Sequence, residues 1–123
     1  AISLNPKDMD YRINRAIAYE KMQDYESAFT DYTVVLRAEP DSEKAWFNRG
    51  NLLYKLRRYD EAEKDFTQAL RIHEGYAMAY FGRALARFYG GNKDEACQDL
   101  KSATSYGFDV EPRIAARLCG SNK

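Results

Sequence analysis

The chain has no excess of charge of either sign: 19 Lys and Arg face 19 Asp and Glu, for a formal net charge of zero. Nucleic acids and acidic membranes select for a basic excess, so neither is expected as a partner. No apolar run approaches the roughly 18 to 20 residues that a bilayer span needs, and no basic-then-apolar leader opens the chain. A soluble domain is expected, with the cytoplasm weakly favoured, although a chain opening on Ala1 could have lost a leader. Histidine is almost absent and cysteine scarce. His73, Cys97 and Cys119 together cannot close a tetrahedral zinc site, so no metal and no cofactor are expected. The two cysteines are expected to be ordinary buried or half-buried thiols. A disulfide would require the C-terminal helix to fold back onto the preceding segment, which spacing alone does not decide. There is no glycine-rich phosphate loop, since Gly90-Gly91 is an isolated turn, and His73 has no evident nucleophile to serve. Enzymatic activity is not expected.

What the chain does have is an internal ladder. At an interval of 34 residues, Ala28, Ala62 and Ala96 recur, as do Arg15, Arg49 and Arg83, and Asp31, Asp65 and Asp99. Tyr32, Phe66 and Leu100 share a rung; so do Ala16, Gly50 and Ala84; Pro6 and Pro40 keep the same interval. Five triples in one register point to three copies of one unit, covering residues 8–41, 42–75 and 76–109.

Within each unit the apolar spacing is close to 3.6 and turn signals interrupt it twice, which predicts a pair of antiparallel helices. Asp8 is the expected cap of the first helix, running to about Met22, and Gln23-Asp24 the turn after it. A second helix over about 25–38 stops ahead of Pro40, which cannot continue it. Ser42 caps the next helix, to about Leu56, and Tyr59–His73 pairs with it. The third unit opens after Gly75, turns at Gly90-Gly91-Asn92, and carries a capping-box-like Asn92 with Glu95. Tyr106-Gly107 ends the last repeat helix. Pro112 then starts a shorter helix within 110–119, whose Ile114, Ala115 and Leu118 fall on one face as a cap over the last pair. Residues 1–7 read as the tail of a preceding unit and 120–123 as a frayed end.

These residues resemble the tetratricopeptide repeat family. Trp46, Gly50, Ala62, Phe66 and Ala69 match its W, G, A, F and A positions, and Pro6 and Pro40 its terminal proline. The likeness runs to about Ala103. It departs in having Arg, not Leu, three residues after the Trp position in all three units, and in lacking the proline after units two and three. The fold it implies is all-α, a right-handed superhelical solenoid of antiparallel helix pairs. The small residues would let backbones approach closely while Tyr32, Phe66 and Leu100 fill the space between pairs. Each Arg precedes an Asp by 16 residues, one on each helix of a pair, which predicts a repeated ion pair.

The resemblance also implies a protein or peptide partner, held along a concave groove by the first helix of each pair. The groove positions would be Ile13, Asn14 and Ile17; Lys44, Phe47, Asn48 and Asn51; and Met78, Phe81 and Leu85, with Phe88 at the rim. The alternative for Phe81, Leu85 and Phe88 is packing against neighbouring helices or a missing repeat. Chaperone-binding members of the family grip a terminal carboxylate with a Lys, Arg and Asn clamp. The corresponding positions here are Ile13, Ile17, Asn48, Met78 and Gly82, and only Asn48 survives; shifted one unit earlier, the pattern keeps Asn14 and Lys44 but puts Asn48 where Arg is needed, with its first repeat outside this chain, so that ligand is not expected. Self-association as a homo-oligomer through exposed end helices, or service as an adaptor region of a larger protein, are the other readings.

Overall fold

The computed structural model describes the backbone of residues 6–120 and side chains from residue 8 onward. Of the expected preceding-unit tail at 1–7, residues 1–5 lie outside the described residues while 6 and 7 open the first helix; of the expected frayed end at 120–123, residues 121–123 lie outside them. Seven helices and no strand occur among the described residues: α1 (Pro6–Lys21), α2 (Tyr25–Ala38), α3 (Glu43–Lys55), α4 (Tyr59–Ile72), α5 (Ala77–Tyr89), α6 (Lys93–Ser105) and α7 (Pro112–Cys119). They pack as three successive pairs, α2 against α3 and α4 against α5 joining one pair to the next, with α7 on α6 and α5. The fold is an all-α helical repeat solenoid.

Side-chain capping sets the start of three helices. Asp24, Ser42 and Asn92 each accept a hydrogen bond from the backbone N–H three residues on, satisfying an otherwise orphaned donor. Glu95 completes a variant of the capping box, accepting from the side-chain amide of Asn92 at 2.6 Å instead of from its backbone N–H. One expectation is corrected: Asp8 is not a cap, because α1 already starts at Pro6. Proline suits a first helical position, where its missing N–H leaves nothing unpaired, and Asp8 falls in the first turn. The turn inside each pair uses one left-handed residue, and these also obey the 34-residue interval: Gln23 (φ 63°), Arg57 (φ 63°) and Gly91 (φ 98°). Only the third copy uses the residue that adopts this geometry without steric cost.

The ladder residues build the core. Ala16, Ala28, Ala62, Ala84 and Ala96 are fully buried, with Tyr32, Phe66 and Leu100 between them. Phe66 is wedged under two glycines: a Cβ at Gly50 would lie 2.9 Å from its ring and one at Gly82 only 2.6 Å. Trp46 belongs to the scaffold, its indole N–H donating to the Pro40 carbonyl at 2.8 Å, and Arg49 lies over its ring and that of Phe29.

The expected ion pairs form in all three copies, each as a two-pronged fork. Arg15 reaches Asp31 at 2.8 and 2.7 Å, Arg49 reaches Asp65 at 2.8 and 3.1 Å, and Arg83 reaches Asp99 at 2.9 and 2.8 Å. Each pair lies within a repeat, and the third guanidinium nitrogen ties repeats together: Arg49 donates to the Thr33 hydroxyl and Arg83 to that of Thr67.

The expectation of free thiols is overturned. Cys97 on α6 and Cys119 at the end of α7 are joined in a disulfide, with Cα atoms 4.8 Å apart. The reason is the fold-back: α7 returns across α6 to bury Leu118 against Ala84, Ala96 and Leu100, which brings its last residue over Cys97.

Candidate binding groove

The first helices of the pairs, α1, α3 and α5, share one side of the solenoid and line a row of three adjoining cavities. The first, about 450 Å³, lies between α1 and α3 and is bordered by Ile17, Glu20, Lys21, Asn48, Asn51, Tyr54 and Lys55, with Tyr32 beneath. The second, about 250 Å³, is the most apolar, formed by Phe47, Met78, Phe81, Leu85 and Phe108 together with Asn51, Tyr54 and Gly82. The third, about 360 Å³, lies between Tyr54, Leu85 and Tyr89 and the α7 residues Arg113, Ile114, Arg117 and Leu118. Asn51 and Tyr54 border the first two and Tyr54 and Leu85 the last two, so the row is continuous across four helices.

The polar groups along this row differ in how committed they are. Glu20 is tied down, accepting from the Tyr32 hydroxyl at 2.5 Å and from Lys55 at 2.9 Å. Burial, reinforced by Glu20, holds the Tyr32 phenol protonated far above its ordinary range. Burial likewise raises Tyr54, with the nearby rings of Tyr89 and Tyr59 adding to the effect. Asn48 and Asn51 are half-buried and, among the described residues, their side-chain amides have no hydrogen-bond partner. Each carries two donors and an acceptor that remain available at the cavity wall. No group of three or more metal-ligating side chains occurs among the described residues.

Ile17, Phe47, Asn48, Asn51, Met78, Phe81 and Leu85, all expected at the groove, border the first two cavities. Three other expected residues do not. Ile13 is 2% exposed and belongs to the α1–α2 core, because it faces α2 and not the open side of α1. Asn14 and Lys44 are exposed but border none of the three cavities. Phe81, Leu85 and Phe88 all pack partly buried around the α6–α7 core, as the packing alternative had it, and Phe81 also stacks on Phe108 at 4.6 Å; Phe81 and Leu85 border a cavity as well. The residues that sequence reasoning missed are Glu20, Tyr54, Lys55, Tyr89, Phe108 and the α7 arginines. For Glu20, Tyr54, Lys55 and Tyr89 the signal was positional: Glu20, Tyr54 and Phe88 share one 34-residue rung and Lys21, Lys55 and Tyr89 the next, but neither rung keeps one residue type in all three copies; Phe108 and the α7 arginines lie on neither.

Comparison with known proteins agrees with the architecture. The tetratricopeptide repeat pattern matches residues 43–76 in one form and 12–42 and 78–106 in another. The chain is a member of the tetratricopeptide repeat family. Among solved structures it is similar to the second TPR of Spaghetti (RPAP3) bound to HSP90 peptide SRMEEVD, at 31% identity over 80% of this chain and 91% of that one, with a TM-score of 0.77. It is also similar to the second TPR domain of human RPAP3 in complex with HSP70 peptide SGPTIEEVD, at 27% identity over 89% and 93%, TM-score 0.82. The first TPR of Spaghetti shares the fold over 97% and 96%, at 21% identity and TM-score 0.89. No curated protein matches the chain by sequence. No helix among the described residues is long and apolar enough to cross a membrane.

Proposed function

We propose that this protein is a non-enzymatic interaction scaffold that holds an extended segment of a partner protein along the α1–α3–α5 groove. The observation that carries the reading is the pair of uncommitted carboxamides, Asn48 and Asn51, beside an apolar cavity bordered by Phe47, Phe81 and Leu85. Carboxamides of this kind hydrogen-bond a peptide backbone, and a cavity of about 250 Å³ accepts one bulky apolar side chain as an anchor. Two relatives hold acidic peptides, but the residues at the clamp positions of this chain argue against terminal-carboxylate recognition. Where a clamp needs cations, this chain has Ile13, Met78 and Gly82, and where its first repeat needs an Asn it has Ile17; Ile13 is also buried. SRMEEVD is therefore expected to bind weakly.

The test is selection of peptides from a displayed library on the immobilised protein, followed by calorimetry on a synthetic copy. Phe81→Ala and Asn51→Ala should each weaken the selected peptide about tenfold or more, in the range of an interface anchor. Undiminished affinity in an Asn48→Ala, Asn51→Ala, Phe81→Ala triple variant that remains folded would exclude the groove.

A further inference from the structure

We infer that α7 is a redox-controlled wall of the groove, latched by the Cys97–Cys119 disulfide; the consequence for binding rests on the groove reading above. Three observations lead there. First, α7 occupies the place where a further repeat would stack. The 34-residue rung of Phe29, Glu63 and Cys97 is a joining rung: Phe29 lies under Arg49 and Arg58 of the next pair, Glu63 accepts from Arg87 of the next pair at 2.8 Å, and Cys97 bonds to Cys119 of α7. The other joining rung, Thr33 and Thr67, whose hydroxyls accept from Arg49 and Arg83, becomes Lys101, whose ammonium can only donate.

Second, α7 is short, and apart from that bond it is held by Leu118 with Ile114 and Ala115 half-buried beside it. It has eight residues, of which only Leu118 is fully buried, whereas isolated helices shorter than about 12 to 15 residues are marginal in water. Third, α7 closes one side of the third cavity with Arg113, Ile114 and Arg117 opposite Tyr54, Leu85 and Tyr89. The residue that holds it, Cys119, is exposed and open to a reductant.

The chemistry needs a dithiol reductant. One of its thiolates attacks the Sγ of Cys119, the S–S bond breaks, and Cys97 leaves as a thiolate and takes up a proton. The second thiol of the reductant then attacks the mixed disulfide and releases Cys119, so the reductant ends oxidised and two protein thiols are formed. With the tether gone α7 dissociates from α6, and the groove loses its Arg113 and Arg117 side.

Hydrogen exchange by mass spectrometry on the full chain, oxidised and then reduced with dithiothreitol, tests the latch without any ligand. Reduction should speed exchange over residues 113–119 about tenfold or more and leave α1–α4 unchanged, and Cys119→Ser should reproduce this without reductant. Unchanged protection of 113–119 after reduction would overturn the latch. So would a uniform loss across the chain, which would make the bond a general stabiliser, or two alkylatable thiols in the air-oxidised protein. Affinity for a library-selected peptide is measured in parallel. Loss of α7 protection in a protein for which no peptide can be selected upholds the latch and rejects only the groove.

Discussion

Asp65 is the least provided for of the three buried carboxylates. Arg49 alone forks onto it, whereas Asp31 also has Arg12 at 3.7 Å and Asp99 also has Arg87 at 2.7 Å. Burial accordingly pushes the Asp65 carboxyl up despite the opposing pull of Arg49. Removing one partner of a buried pair strands the other charge, a loss of about 3–5 kcal/mol. Arg49→Ala should therefore lower the unfolding free energy by about 3 kcal/mol, and Arg83→Ala by less, since Arg87 continues to serve Asp99; urea denaturation of both variants checks the order. Tyr32 governs the alkaline side. Its folded-state value is raised above the ordinary 10.0, so the stability it contributes is complete below that value. It is lost as the pH rises beyond, because only the unfolded chain's phenol ionises there. Urea midpoints measured from pH 8 to 11 should fall above 10, and Tyr32→Phe should flatten the fall. These residues were legible in sequence because the fold demands the same chemistry in every copy, and repetition exposes it. The groove residues Tyr54 and Tyr89 were not, because at their rungs the copies differ, and a ladder read for its shared residues passes over those that vary.

At the scale of helices, α3 and α5 both press a glycine onto the Phe66 ring of α4. Gly50 was legible as a small-residue rung, but Gly82 sits on the Asn14 and Asn48 rung, and only the structure shows why it lacks a side chain: a Cβ there would meet the Phe66 ring at 2.6 Å. Gly82→Ala should destabilise the fold by about 1–3 kcal/mol through overpacking, read from the urea midpoint, whereas Gly91→Ala has open space around it and only the cost of its positive φ. Helix starts followed capping chemistry at α2, α3 and α6, whereas α4, α5 and α7 begin without a side-chain cap and at α1 the proline overrode the aspartate. The disulfide was not legible because spacing along the chain does not reveal the angle at which α7 returns. That angle is set by Leu118 seeking the apolar face of α6.

For the molecule as a whole, the neutral charge balance and the helical repeat describe a scaffold, and the functional reading depends on one face of it. That face joins four helices whose residues are far apart in sequence, from Ile17 to Arg117. Its polar groups are divided between those already satisfied, Glu20 and Lys55, and those still available, Asn48 and Asn51. The most direct test is nuclear magnetic resonance titration of the isotope-labelled chain with a library-selected peptide. The largest amide and side-chain shifts should fall at Asn48, Asn51, Tyr54, Phe81 and Leu85, with α2, α4 and α6 little changed. Shifts concentrated on α2, α4 and α6, with the Asn48 and Asn51 carboxamides unmoved, would contradict the account.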